Sequence, residues 1–295
     1  MALAVGATLV AAGCGGGADS GSGSSTAVCP VDAAAPAHRT APPPRSSLLT
    51  AGTLTFGSDI SYPPQEFHPD GCGARTVDGF DIDVARALAA RMGLKFAVVD
   101  TKLDAIIPAL QAKKFDAVVS AVTINDERKK VVNMVPYFVA GESFVVTSGS
   151  SRNPLEIKDL CGLKVAVEKG TVEESDAADA NDATRNGPCA GKPIQFKDFS
   201  FDKDTEALVA LKKGTVDVHF TDSPVAGYEV LMKSGYRISN KAPLNSAPEG
   251  IASRKDDDAM TTALTAAFAA IRSDGSYKKL LDKWRVADGD IARAP

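Results

Sequence analysis

Two series of short apolar runs, each run followed by a helical pattern, limit this chain to few architectures. The first series opens with "TLTFGSD" as a strand. "DIDVARALAARMG" follows as a helix with Ile82, Ala85, Leu88, Ala89 and Met92 on one face and Gly93 as its stop. "LKFAVVD" reads as a strand and "LDAIIPALQAKK" as a helix, with Pro108 expected in its first turn, where a missing N–H does no harm. "FDAVVSAVTI" is apolar on nearly every residue, the mark of a strand buried on both faces. The second series reads "LKVAVEKGT" strand, "VEESDAADANDA" polar helix, "PIQFKDF" strand, "DTEALVALKKG" helix, "TVDVHFTDSP" strand and "PVAGYEVLMK" helix. Such alternation in two blocks implies an α/β fold with two lobes and largely parallel sheets. The C-terminal "DDAMTTALTAAFAAIRSDGSYKKLLDKWRV" adds two helices split at "SDGS". They have no strands of their own, so they must pack on an existing lobe.

The chain ahead of these series has another character. "MALAVGATLVAAGC", residues 1–14, is a short apolar segment ending in small residues and Cys14, and reads as a processing signal. "LVAAGC" looks like a bacterial lipobox, whose Cys14 thiol becomes lipidated. No Lys or Arg precedes the apolar run, which departs from the usual signal. Residues 15–45 are rich in Gly, Ser, Ala and Pro and are expected to form a disordered linker. Four further cysteines in an exported chain favour disulfides. Of the three possible pairings, proximity suggests Cys161–Cys189 and Cys29–Cys72. No CxxC pair supports zinc. The 295 residues, 44% hydrophobic, suffice for one large or two ordinary cores. A net charge of −4 without any basic run argues against a nucleic-acid partner. No apolar stretch long enough to cross a membrane follows the N-terminal segment.

Open parallel sheets bind ligands beyond the carboxyl ends of their strands. That rule selects four loops: "SDISYPPQEF", "SAVTINDER", "VEKGTVEE" and "HFTDSPV". In the second, Thr123 is a hydroxyl at a strand end, and Arg128 lies in the first turn of a helix capped by Asn125 or Asp126. A guanidinium is a planar fork matched to a carboxylate. Local chemistry leaves Arg128 two roles, a carboxylate clamp or one charge on the solvated face "DERKK". Asp222 could receive an ammonium group or cap the helix opened by Pro224. Asp59 could do the same or serve as a turn residue. Gly170–Thr171 offers amides and a hydroxyl. Together these groups would suit a zwitterion. Catalysis has little support: His38 lies in the linker, His68 in a turn and His219 within a strand, and no nucleophile, HExxH, Walker or Rossmann pattern accompanies them. No cofactor is expected.

The segments "GSDISYPPQEF", "GFDIDVARALAARMG", "IIPALQAKKFDAVVSAVTINDERKKVV", "KVAVEKGT", "ALKKGTVDVHFTDSPVA" and "RSDGSYKKLLDKW" resemble, in this order, the extracellular solute-binding proteins of bacterial polar amino acid ABC importers. The resemblance is to the glutamine-, histidine- and arginine-binding group and spans residues 50–286 or so. It implies a periplasmic-binding-protein type II fold with two mixed or parallel sheets and a cleft between lobes. Lobe 1 would comprise 46–139 and 249–295, lobe 2 would comprise 143–245, and the hinge crossings would fall at 140–142 and 246–248. The resemblance assigns Arg128 and Thr123 to a ligand's α-carboxylate, Asp222 to its α-ammonium, and Thr171 to further carboxylate contacts. Asp59, Leu103, Ser120, Ala121 and Glu168 fall at other pocket positions. Some departures bear on specificity. Gln65 and Leu103 stand where the family often has aromatics, Ala121 replaces the usual Gly, and Glu168 falls at a side-chain-pocket position, where it either enters the pocket or faces solvent. Glu168, Asp59 and Gln65 would favour a cationic or amide side chain. The implied role is that of a monomeric, lipid-anchored, extracytoplasmic binding protein serving a membrane permease and its ATPase. A ligand sensor without transport, or a dehydratase-like enzyme on the same fold, are the alternatives.

Overall fold

The computed structural model describes residues 36, 38–73 and 76–294. Cys14 and Cys29, and with Cys29 the expected pairing to Cys72, lie outside the described residues. The linker expected to run to residue 45 ends sooner. Arg91 Nη1 donates to the His38 carbonyl at 3.0 Å and the Thr40 N–H donates to the Arg91 carbonyl at 3.0 Å, so the chain is held from His38 onward.

The first block comprises β1 (Thr53–Ser58), α1 (Phe80–Arg91), β2 (Lys95–Asp100), α2 (Leu103–Gln111), β3 (Ala117–Val118) and α3 (Asp126–Val131). A long strand, β4 (Val132–Thr147), leads into the second block. That block holds β5 (Val165–Glu168), α4 (Val172–Asn181), β6 (Ser200–Phe201), α5 (Asp204–Lys212), β7 (Val218–Asp222), α6 (Ser223–Met232) and β8 (Tyr236–Ile238). A second long strand, β9 (Leu244–Arg254), returns to the first block, and α7 (Asp258–Ser273) and α8 (Ser276–Trp284) follow. No helix among the described residues is long and apolar enough to cross a membrane.

Within each block the pairings are parallel: β1 with β2 and β3, and β5 with β6 and β7. The expected two sheets share one hydrogen-bonded path, β2-β1-β3-β9-β4-β7-β5-β6, because β4 and β9 pair antiparallel over most of β9 and continue each ladder into the other. Both faces of the second block's strands are covered. Val165, Val167, Phe144 and Phe220 enter one apolar cluster, while their neighbours Ala166 and Val145 enter another with Leu208 and Leu211. Burial on both faces fits the consecutive apolar residues Val165, Ala166 and Val167 of β5. The stripe expected on α1 is fully buried: Ala85, Leu88, Ala89 and Met92 pack with Met260, Leu264, Phe268 and Ile271 of α7 and with Leu281 of α8, while Ile82 packs with Ile60 and Val77. The C-terminal helices therefore lie on the first block. The Cys161–Cys189 disulfide closes a 28-residue separation in the second block.

Three elements differ from expectation. α2 starts at Leu103 as expected, where the Leu103 N–H donates to Asp59 Oδ2 at 2.9 Å, but Pro108 is its sixth residue and so sits in the second turn, not the first. "FDAVVSAVTI" is buried but forms only two residues of ladder, since Ala121 turns the chain with a φ of 45°. A left-handed alanine costs on the order of 1 kcal/mol. Here its N–H donates to Asp81 Oδ2 at 2.7 Å, which anchors the turn. "PIQFKDF" is not a strand: it gives a single bridge at Gln195 and a 3-10 turn over Lys197–Phe199, and the ladder begins at Ser200.

Candidate functional site

The carboxyl ends of β1, β3, β5 and β7 converge on one cavity. All nine pocket residues expected from sequence line it: Asp59, Leu103, Ser120, Ala121, Thr123, Arg128, Glu168, Thr171 and Asp222. Its free volume is about 10 Å3, room for about one water molecule. An amino acid can enter only if the walls part.

Arg128 is placed by its own helix. Asn125 caps α3, its side chain accepting from the Arg128 N–H at 2.9 Å. The guanidinium donates from Nη1 to the Thr123 carbonyl at 2.7 Å and from Nη2 to the Gly170 carbonyl of the second block at 2.8 Å. Burial lowers its pKa, and Glu173, Asp222 and Glu249 pull it back up. Lys129 and Lys130 are exposed and pair within α3, as expected of a solvated face.

Asp222 occupies the cap position of α6, yet its side chain makes no capping bond. It instead accepts at Oδ2 from Tyr62 Oη of the first block, 2.9 Å away. Burial pushes its pKa up to about 7, aided by Asp204 and opposed by Tyr62, Arg128 and Glu173. Asp59 is buried, and both its oxygens are engaged, Oδ1 by Ser61 Oγ at 2.6 Å and Oδ2 by the Leu103 N–H. Ser120 Oγ accepts from the Asp59 N–H at 2.9 Å and donates to Glu66 Oε1 at 2.7 Å. The Thr171 hydroxyl caps α4: it accepts from the Glu174 N–H at 3.2 Å and donates to the Glu168 carbonyl at 2.7 Å. Glu168 is 2% exposed, which settles it as an interior rather than a solvent-facing residue. Gln65 does not line the cavity. It is buried beside Glu249, with Nε2 and Oε2 3.5 Å apart.

Sequence reasoning singled out the right loops but not Tyr62, Glu66, Val172 and Glu173, which also line the cavity. The available signal was the acid density of "YPPQEF" and "VEKGTVEE". Five carboxyl groups thus face one guanidinium. Glu66, Glu168 and Glu173 are held well above the ordinary range, first by burial and then by Asp81, Asp59 and Asp222 respectively. Each has one oxygen, Glu66 Oε2, Glu168 Oε1 and Glu173 Oε1, without a hydrogen-bond partner. Unpaired buried carboxylate oxygens are costly unless a cation or donor meets them.

The rim is bridged between the blocks. Asp202 accepts from Lys102 Nζ at 2.5 Å and Lys169 Nζ at 2.7 Å, and these bonds hold its pKa at about 2. Gly170, with φ 81°, lies so close to α2 that a Cβ there would meet Asp104 Cα at 2.8 Å.

The sequence profile of the bacterial extracellular solute-binding proteins, family 3, matches residues 54–287. The chain belongs to this family. Among relatives of this solute-binding protein, the arginine-binding protein ArgT of Corynebacterium glutamicum is 30% identical over 84% of the chain and 79% of its own length. Among solved structures, holo ArgBP from T. maritima is 34% identical with a TM-score of 0.67, covering 79% of this chain and 96% of that one. An ancestral amino acid-binding protein described as a precursor of cyclohexadienyl dehydratase is 34% identical with a TM-score of 0.68, covering 79% and 95%. These neighbours share the two-lobed type II fold. The relatives are binding proteins, and the solute-binding protein is not an enzyme; the dehydratase precursor, itself a binding protein, lends that alternative no weight.

Proposed function

We propose that this protein captures a basic amino acid between two lobes and hands it to an ABC import permease and its ATPase, while lipidated Cys14 anchors it outside the cell membrane. The lobes are 46–139 with 249–295, and 143–245, and the hinges are 140–142 and 246–248. The observation that carries the reading is that Arg128 and Asp222, from opposite blocks, line one closed cavity. Arg128 and Thr123 take the α-carboxylate and Asp222 takes the α-ammonium. The remaining acids select the side chain: a cation relieves unpaired carboxylates that a neutral or acidic side chain leaves standing. The names of the arginine-binding relatives agree with this choice. The β4–β9 register is irregular between Ala140 and Glu142, which supports a hinge there. A Cβ on Gly141 would meet the Leu244 carbonyl at 2.5 Å, so the two strands touch closely at that point.

A thermal-shift screen of the mature protein tests the reading. Arginine and lysine are expected to stabilise most, glutamine less and glutamate not at all. A largest shift with glutamate, or none with any amino acid, removes it. Acidity supplies a second check. Asp222 must be ionised to receive an ammonium group, and its pKa stands at about 7. Affinity is therefore complete above that value and is lost as pH falls through it, by about tenfold between pH 8 and pH 6. Calorimetry at the two pH values measures this, and an equal affinity would mean that Asp222 carries no such load.

A further inference from the structure

Behind the cavity lies a buried charge cluster that the proposed contacts do not use. Asp204 opens α5, His219 and Thr221 share one face of β7, and Glu229 lies on α6. His219 Nε2 is 2.8 Å from Asp204 Oδ1, and Nδ1 is 3.4 Å from Glu229 Oε2. All three side chains are 2% exposed or less. A neutral imidazole has one N–H, engaged by Asp204, and would leave Glu229 facing a bare nitrogen; an imidazolium stands as a charge between the two acids, with Nδ1 and Glu229 Oε2 in ion-pair contact but not hydrogen-bonded. Burial would lower the histidine's pKa, but Asp204 and Glu229 push it up to about 10. Ligand atoms of these residues lie within 4.8 Å of one another, and the 2.8 Å between Nε2 and Asp204 Oδ1 is the length of a charge-assisted hydrogen bond.

A protonated ring can only donate to Asp204, which leaves Asp204 the acceptor at the head of the hydrogen bonds that run to the cavity. Asp204 Oδ1 accepts from His219 and also from Thr221 Oγ1, at 3.0 Å. Thr221 has then spent its only proton, and its lone pairs face Tyr62 Oη, 3.2 Å away. Tyr62 Oη accepts from the Asp222 N–H at 3.2 Å, and its single proton points to Asp222 Oδ2. Thr221 thus keeps an acceptor ready for the Tyr62 proton when an ammonium group claims Asp222.

We propose that Glu229, His219 and Asp204 are positioning residues that act through Thr221 to hold Tyr62 across the cleft and set the closed geometry at Asp222. The proposal rests on the reading of Asp222 as the ammonium site. Thr221→Val tests it, with arginine as the probe. Binding is expected to weaken about tenfold while the melting point of the unliganded protein stays near that of the parent, and most of that loss should vanish in a Tyr62→Phe background. Undiminished affinity, or losses that simply add, overturns the proposal. A ring-nitrogen NMR spectrum of the intact protein gives a second measurement that needs no variant. Both nitrogens of His219 should carry protons at pH 7, and a neutral ring also overturns it. If the parent protein binds no amino acid while His219 is charged, the function reading has failed and the relay loses its purpose with it. Normal arginine binding by both parent and Thr221→Val overturns the relay alone.

Discussion

Arg128→Ala is expected to weaken amino acid binding by a hundredfold or more and to abolish ligand-induced thermal stabilisation. Removing one member of a desolvated charge pair costs about 2–5 kcal/mol, because the other member stays buried and unpaired. The melting point without ligand should move little. The two guanidinium bonds go to the carbonyls of Thr123 and Gly170, and one of them spans the cleft and must break whenever the cavity opens. Arg128→Lys should recover only part of the affinity, since an ammonium cannot make the two-pronged contact. Calorimetric titration with arginine and a melting scan decide the matter. A large fall in stability with retained affinity would make Arg128 a strap between loops.

Gly170→Ala should be nearly as damaging, for steric reasons. The new methyl would press into Asp104, 2.8 Å from Cα and 3.0 Å from N. Backbone cannot give way as a flexible side chain can, and overpacking costs about 1–3 kcal/mol. That cost falls on the closed form alone, so affinity should drop by about tenfold to a hundredfold. Gly214→Ala is the control. Its φ of 71° carries the same left-handed penalty, but no heavy atom lies within 4 Å of the added carbon. Small-angle scattering with saturating arginine should find Gly170→Ala more open than the parent and Gly214→Ala unchanged. Equal behaviour of the two variants would mean that backbone strain, not contact between the blocks, is responsible.

Much of the fold was legible because its signals are periodic. The α1 stripe repeats at helical spacing and is buried as read. β5 is apolar at Val165, Ala166 and Val167 in a row because both its faces are covered. The failures are local. "SAVTI" alone does not announce a left-handed alanine; the hint was that Ala121 stands where the family usually has Gly, and its N–H is held by Asp81 and Tyr137. Pro108 was misplaced although the helix start at Leu103 was read correctly: a sixth helical residue already stands in the second turn. For the cavity, the rule about strand ends found Asp59, Thr123, Arg128, Thr171 and Asp222, and the family resemblance added Glu168. Tyr62, Glu66 and Glu173 sit deeper in the same loops. Whether they face the cavity depends on how the two blocks meet, which no single segment encodes.

The paired β4 and β9 also constrain how the molecule can move. Sliding one strand along the other would break many rungs together, whereas bending the ribbon at its irregular register between Ala140 and Glu142 strains only a few. Gating should therefore resemble a door on one axle, describable by a single angle. Two fluorophores on opposite lips would then report two discrete populations whose ratio, not whose spacing, changes as solute is added.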